Sequence, residues 1–83
     1  MMRVPHELSD DFSQEIDLIE RMKETDHRFA RLATNYEDVN REIFSIESEE
    51  HPTTDEVLET LKKRRLLLKD EIAEVLRNLH RRM

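Results

Sequence analysis

The sequence predicts an all-α protein: an antiparallel, coiled-coil-like two-helix hairpin that associates as a dimer or a larger helical bundle. The 83 residues include no glycine, which disfavours β-rich folds with tight turns, and no cysteine, which excludes a disulfide-stapled module. Charged residues make up 41% of the chain, and no apolar run approaches the roughly 20 residues of a membrane span. The apolar residues instead recur at steps of three and four, which is typical of helices with one packed seam.

One domain over residues 1–83 accommodates this pattern. Its predicted parts are a flexible N-terminus at 1–9, a first helix at 10–48, a turn at 49–53 and a second helix at 54–80. No glycine or proline interrupts the first helix. Pro52 ends it because proline disfavours helical geometry in the preceding residue. Thr53 is then expected to cap the second helix by accepting a hydrogen bond from the amide of Glu56.

The apolar seams of the two helices match each other in a single register centred near Pro52, which places Val39 opposite Arg65. They define the predicted hairpin core, which consists of Phe29, Leu32, Tyr36, Val39, Ile43, Ile46, Leu58, Leu61, Leu68, Ile72, Val75 and Leu79. In this register the residues before Arg21 have no partner in their own chain. The first helix should therefore project roughly 15–20 Å beyond the hairpin.

A second apolar stripe lies on the flank of both helices and needs another molecule to cover it. The predicted oligomer interface consists of Phe12, Ile16, Ile19, Ala33, Leu66, Ala73, Leu76 and Met83. A lone pair of helices of this size buries too little to offset its chain entropy. We therefore expect a homo-oligomer, with a dimer favoured.

Three segments carry a resemblance to a known family: Asp17-Leu18-Ile19-x-x-Met22-Lys23, Phe29-x-x-Leu32, and Leu61-Lys62-Lys63-x-x-Leu66-x-Leu68-Lys69-Asp70-Glu71-Ile72. Together they resemble the YdcH-like family of short bacterial proteins of unknown function, over roughly residues 16–78. The resemblance implies a long α-helical hairpin that dimerises in the bacterial cytoplasm. It implies no catalytic residue and no cofactor.

The basic run Lys62, Lys63 and Arg64 is the main candidate for contacts with an anionic partner. It could bind phosphates or an anionic lipid surface, or it could be a solvated stretch of helix that offsets the acidic first helix. The net charge of −6 favours the solvated stretch, because nucleic-acid binders are usually basic.

Arg65 occupies a seam position between Leu61 and Leu68. It could specify register by pairing across the interface. Alternatively, its stem packs while its guanidinium reaches solvent, Glu42 or Asp38.

No residue pattern predicts catalytic, cofactor-binding or metal-ligating groups, so we expect no enzyme, no cofactor and no metal. The four histidines lack metal-ligand spacing. The predicted function is a non-enzymatic protein–protein interaction or adaptor module with an unknown protein partner. The alternative is a small nucleic-acid-associated protein that uses the basic surface of the second helix. The absence of an export signal and of cysteine predicts a cytoplasmic protein with no membrane contact.

Overall fold

The structure, a computed structural model, describes residues 7–48 and 53–82. The described residues form four α-helices and one 3-10 helix, with no β-strand among them. The elements are α1 (Leu8–Asp11), the 3-10 helix (Ser13–Glu15), α2 (Ile16–Thr25), α3 (His27–Glu47) and α4 (Asp55–Arg82). The all-α prediction is confirmed, but the chain contains more than the two helices that the sequence predicted.

The prediction of a continuous helix over 10–48 is wrong, because the helix is interrupted at Asp26. This residue has an extended backbone, with φ −132° and ψ 110°, and separates α2 from α3. Its carboxylate oxygen Oδ1 accepts hydrogen bonds from the amides of Arg28 at 2.9 Å and Phe29 at 3.2 Å. Aspartate is among the best N-cap residues because it satisfies amides that lack a partner in the first helical turn. The break is therefore a new helix start, achieved without glycine or proline.

A second irregular position, Phe12, lies between α1 and the 3-10 helix, with φ −128° and ψ 46°. The flexible N-terminus predicted at 1–9 lies partly outside the described residues. Its described part, Glu7 to Ser9, comprises the N-cap residue and the start of α1, and Leu8 is a buried core residue. We call residues 7–25 the arm.

The two long helices α3 and α4 pack against each other in opposite directions. Lys62 on α4 pairs with Glu47 on α3. Further along α4, Arg65 contacts Asn40, which lies earlier on α3, so the two helices run in opposite directions. The Arg65–Asn40 contact lies one residue from the predicted Val39–Arg65 pairing. We call these two helices the α3–α4 pair.

The cap of α4 differs by one residue from the prediction. The Thr54 hydroxyl oxygen, not that of Thr53, accepts from the amide of Val57 at 3.3 Å. The helix accordingly begins at Asp55 and continues to Arg82, two residues beyond the predicted end. Residues 49–52 of the predicted turn lie outside the described residues.

The core forms where the arm folds back onto the α3–α4 pair. One cluster of buried side chains combines the arm, α3 and α4, and its members are Leu8, Ile19, Phe29, Ala33, Tyr36, Ile72 and Leu76. The arm therefore does not project beyond the pair as predicted. The reversal at Asp26 lets its apolar side chains be buried within their own chain, which removes them from water.

Candidate interaction surface

The predicted oligomer interface is largely occupied by the chain itself. Ile19, Ala33 and Leu76 are buried in the core cluster between the arm and the α3–α4 pair. Three further members, Phe12, Ile16 and Ala73, are half-buried. These three residues are thus buried within their own chain, and their contact with another copy stays a prediction. Leu66 alone of the described members is exposed, and Met83 lies outside the described residues.

The predicted hairpin-core residues all lie on α3 or α4, and none of them is classed as exposed. The buried members are Phe29, Tyr36, Val39, Ile43 and Ile72. The half-buried members are Leu32, Ile46, Leu58, Leu61, Leu68, Val75 and Leu79. The most deeply buried residues thus lie mainly on α3, which packs against both α2 and α4.

Arg65 crosses the α3–α4 pair to an unexpected partner. Its Nη1 donates to Oδ1 of Asn40 at 3.0 Å, so neither Glu42 nor Asp38 receives it in this contact. Asn40 is the only buried polar residue among those described. The sequence reasoning missed it because asparagine falls beside the apolar seam. An amide beside an arginine in the seam is nonetheless a recognisable polar pair, since buried polar groups need hydrogen-bond partners.

The arm is fixed to the α3–α4 pair by a buried tyrosine. The Tyr36 hydroxyl donates to Oδ2 of Asp11 at 2.8 Å, and Nζ of Lys69 lies 3.8 Å from the same oxygen. Burial raises the pKa of Tyr36 well above its usual value, and the Asp11 hydrogen bond and charge raise it further, while Arg65 opposes them. Tyr36 therefore stays a neutral donor to Asp11 at every physiological pH.

A second polar contact joins α2 to α3 closer to the break. Nζ of Lys23 lies 3.2 Å from Oε1 of Glu37, and both side chains are about one-third exposed. An ion pair with this exposure contributes between a few tenths of a kcal/mol and about 1 kcal/mol to the free energy of unfolding. The apolar residues of the arm therefore supply most of its attachment, and the polar contacts set its orientation.

Two shallow grooves border the arm. The larger, about 290 Å³, lies between the arm and α3, and its lining includes the carboxylates of Glu7, Glu20 and Glu37. The smaller, about 170 Å³, brings Asp11 next to Lys62, Arg65 and Lys69. Glu37 already pairs with Lys23, and Lys69 pairs with Asp11, so these charges serve to hold the arm.

The histidines and acids of the described segments do not form a metal site. No group of three or more histidine or acidic side chains converges anywhere in residues 7–48 and 53–82. His27 and His80 are exposed. His6 and His51 lie outside the described residues.

The basic run does not present one cationic face. Nζ of Lys62 lies 3.4 Å from Oε2 of Glu47, so its charge is partly compensated. Lys63 and Arg64 are exposed, and no ion pair to either is found within residues 7–48 and 53–82. Successive helical residues point about 100° apart, which directs these side chains away from one another.

The outer side of α4 carries two adjacent exposed leucines. Leu66 is 59% exposed and Leu67 is 64% exposed. Lys63 precedes both leucines, and Asp70 follows both, at spacings of three or four residues. Residues at these spacings are neighbours on a helix surface, so the four side chains lie together. Both charged residues are exposed as well. We call Lys63, Leu66, Leu67 and Asp70 the outer patch.

The sequence reasoning assigned the two halves of this patch to different roles. The sequence predicts Leu66 in the oligomer interface and Lys63 among the anion contacts, and it predicts no role for Leu67. The signal that could have found Leu67 is the uninterrupted run Leu66-Leu67-Leu68. A single seam can bury one or two of three consecutive positions on a helix, but not all three.

The architecture defines a small all-α protein organised around two long antiparallel helices. No helix in the described part of the chain is long and apolar enough to cross a membrane. The family model described as protein of unknown function (DUF465) matches residues 29–76, which is more than half of the chain. The chain therefore belongs to this family, and the resemblance to YdcH-like proteins is confirmed because they belong to it too.

The matched segment covers most of α3 and α4, and the arm lies outside it. No curated protein and no solved structure matches the chain.

Proposed function

We propose that this protein is a non-enzymatic interaction module of the cytoplasm that binds another protein through the outer patch of α4. The observation that carries the proposal is the exposure of Leu66 and Leu67 side by side on a helix whose other large apolar residues are mostly covered. Single exposed apolar residues are normal on protein surfaces. Two adjacent leucines flanked by charges fit an interface with a small apolar centre and a polar rim.

The charges at the edges of the patch indicate the chemistry of the partner. Lys63 lies at one end and Asp70 at the other, so a helix with a central apolar stripe could pair with both through an acidic and a basic residue. Such charge pairs at a rim contribute orientation and association rate more than affinity. The proposed occupant is therefore an amphipathic helix of another protein, packed lengthwise on α4.

The internal polar groups support a binding role over a catalytic one. Tyr36, Asp11, Arg65 and Asn40 are engaged in contacts that hold the arm and the α3–α4 pair together. Every buried side-chain nitrogen and oxygen of the described residues has a hydrogen-bond partner. These groups act as structural ties between helices.

The test compares a patch variant with a control on the same helix. Leu66→Ser combined with Leu67→Ser removes the apolar centre, whereas Val57→Ser alters an exposed apolar residue of α4 outside the patch. Proteins retained from a lysate of the native host by wild type but not by the double variant are identified and purified. Their affinity is then measured by calorimetry.

We expect at least a tenfold loss of affinity for the double variant, because each buried leucine contributes on the order of 1.5–3 kcal/mol. Val57→Ser should bind like wild type. Circular dichroism must show the same helicity for all three proteins. Equal retention of every protein by wild type and the double variant would refute the outer patch as the binding site.

A homodimer is part of this proposal, and the predicted interface serves it only when the arms are exchanged between copies. Leu8, Ile19 and Leu76 are already buried. Self-association through the stripe therefore requires the arm to leave its own α3–α4 pair.

Nucleic-acid binding by the basic surface of α4 is the alternative. Lys63 and Arg64 favour it because they are exposed, whereas the net charge of −6 and the Lys62–Glu47 pair oppose it. Retention on a mixed DNA and RNA pool should fall steeply with salt if phosphates are contacted. The absence of salt-sensitive retention would remove this alternative.

A further inference from the structure

We propose that two copies of this chain exchange their arms, so that residues 7–25 of each copy pack on the α3–α4 pair of the other. The inference rests on the proposed self-association and names its route. In the closed form, the arm lies on its own α3–α4 pair. Exchange is a low-cost way to form a dimer, because both forms bury the same surfaces and only the connecting segment changes conformation.

The connecting segment is a single residue. Asp26 alone separates the end of α2 at Thr25 from the start of α3 at His27. Its extended backbone reverses the chain, and its carboxylate caps α3 through the amides of Arg28 and Phe29. Short hinges of this kind invite exchange because they leave little freedom to the closed form.

The sequence also fits an open form in which α2 and α3 join into one helix. Met22, Thr25 and Phe29 continue the seam of α3 through the break at steps of three and four, as a helix requires. No proline or glycine lies between Ile16 and Glu47. A continuous helix over 16–47 therefore costs the cap at Asp26 but gains the backbone hydrogen bonds that the break interrupts.

The geometry of exchange follows from the direction of the arm. In the closed form α2 runs back along α3, since Lys23 contacts Glu37 and Glu20 lines a groove with Asn40 and Arg41. The α1 segment folds back to the same level of α3, where Asp11 contacts Tyr36. In the open form it continues the axis of α3 beyond the α3–α4 pair. A second copy related by a two-fold axis near Asp26 then presents the same face to the arm, with the same order of contacts.

The exchanged dimer is therefore extended end to end. The chain measures 44 × 28 × 19 Å, and two copies joined at their hinge ends would be about twice as long. An open arm without a partner would expose Leu8 and Ile19, which are buried in the closed form. The open form is thus stable only where a second copy covers it, which makes the exchange depend on protein concentration.

Two substitutions at the hinge act in opposite directions. Asp26→Ala removes the cap that only the closed form uses and inserts the best helix former. Since two caps are lost from the closed side of the equilibrium, we expect dimerisation to be roughly 30-fold tighter than in wild type. Sedimentation velocity over a concentration series measures this directly.

His27→Pro is the matched control. Proline is favoured at the first helical position and forces the preceding residue into the extended conformation that Asp26 already has. It is incompatible with the interior of a continuous helix. We expect the same helicity and thermal midpoint as wild type, but dimerisation at least about a hundredfold weaker, and the same loss when it is added to Asp26→Ala.

The arm contact itself reports which copy the arm packs on. An equal mixture of ¹³C-labelled and unlabelled Asp26→Ala chains is co-refolded, and isotope-filtered NOEs are recorded between Asp11 and the ring of Tyr36. We expect these NOEs between chains, and small-angle scattering should give a maximum dimension near twice that of the monomer. A dimer whose Asp11–Tyr36 NOEs stay within one chain would overturn arm exchange but leave the proposed homodimer intact. Asp26→Ala chains that stay monomeric at every concentration would overturn both.

Discussion

The arm and the α3–α4 pair solve the same problem of burial in different ways. The pair consists of helices of 21 and 28 residues whose apolar seams face each other along most of their length. The arm consists of three short elements, with an irregular residue at Phe12, and it ends at Thr25. It is held by few anchors, chiefly Leu8 and Ile19. The comparison indicates that the spacing of apolar residues determines which helix faces are buried. The helix cap at Asp26 determines that the arm of the same chain covers part of those faces.

The largest expected effect breaks the α3–α4 pair itself. Phe29→Asp places a charge at a buried position of the core cluster, where it lacks a partner and costs several kcal/mol. We expect loss of cooperative unfolding and of most helicity by circular dichroism. Leu67→Asp, a charge at an exposed position of α4, is the control and should alter the free energy of unfolding by less than about 0.5 kcal/mol. Similar losses in both variants would contradict the assigned burial.

The next effect separates the arm from the pair. Ile19→Ala removes a fully buried side chain of α2 and should cost about 2–5 kcal/mol. If the arm is held mainly by this residue, amide hydrogen exchange should accelerate in residues 16–25 and change much less in residues 29–46. Uniform acceleration across both segments would instead make the arm and the pair one cooperative unit.

Tyr36 sharpens the comparison through its titration. It is the only tyrosine of the chain, so absorbance at 295 nm follows its ionisation alone. Burial and Asp11 raise its pKa, so the folded state holds this proton more tightly than the unfolded state, whose tyrosine titrates near pH 10. The resulting stabilisation is fully present below about pH 10 and is lost as the pH rises above it.

The variants at this contact should be milder. We expect Tyr36→Phe to cost about 1 kcal/mol at pH 7, the usual net value of one hydrogen bond, and to weaken the decline in stability at alkaline pH. Asp11→Asn should move the pKa of Tyr36 towards its usual value, because it removes the nearby negative charge. Denaturant titrations from pH 7 to pH 11 measure the first effect. An unchanged tyrosine titration in Asp11→Asn would contradict the contact.

The smallest effect concerns the ion pair between the arm and α3. Lys23→Ala should lower the free energy of unfolding by at most about 0.5 kcal/mol, and 1 M NaCl should abolish the difference from wild type. Arg77→Ala, which breaks an exposed ion pair within α4, is the matched control. A loss above about 1 kcal/mol in Lys23→Ala alone would show that the arm depends on charge more than on burial.

Sequence patterns predicted the all-α fold class, but they did not predict the path of residues 7–25. The seam steps placed Val39 near Arg65, one residue from the observed Arg65–Asn40 contact. The same steps continue through Asp26, so periodicity alone could not locate the break. Aspartate is a weak helix former and a strong N-cap, and tertiary contacts of the arm favour the cap. That choice depends on packing between distant residues, which local patterns do not contain.

The candidate surface was predicted only in part for a similar reason. Leu66 and Ile19 both belong to an apolar stripe, yet one is exposed and the other is buried. The difference arises because the arm covers one part of the stripe and leaves α4 open elsewhere. Once the reversal at Asp26 is missed, every residue of the stripe looks equally available to a partner.

The contact between Arg65 and Asn40 also bears on which helices this chain rejects in a crowded cell. A foreign helix that replaced α3 would have to offer an acceptor at the level where the guanidinium enters. An aliphatic residue there would leave the half-buried arginine without this acceptor, at a cost of about 1–3 kcal/mol. An entirely apolar interface accepts many helices. The Arg65–Asn40 hydrogen bond therefore favours the pairing of α4 with α3 of the same chain.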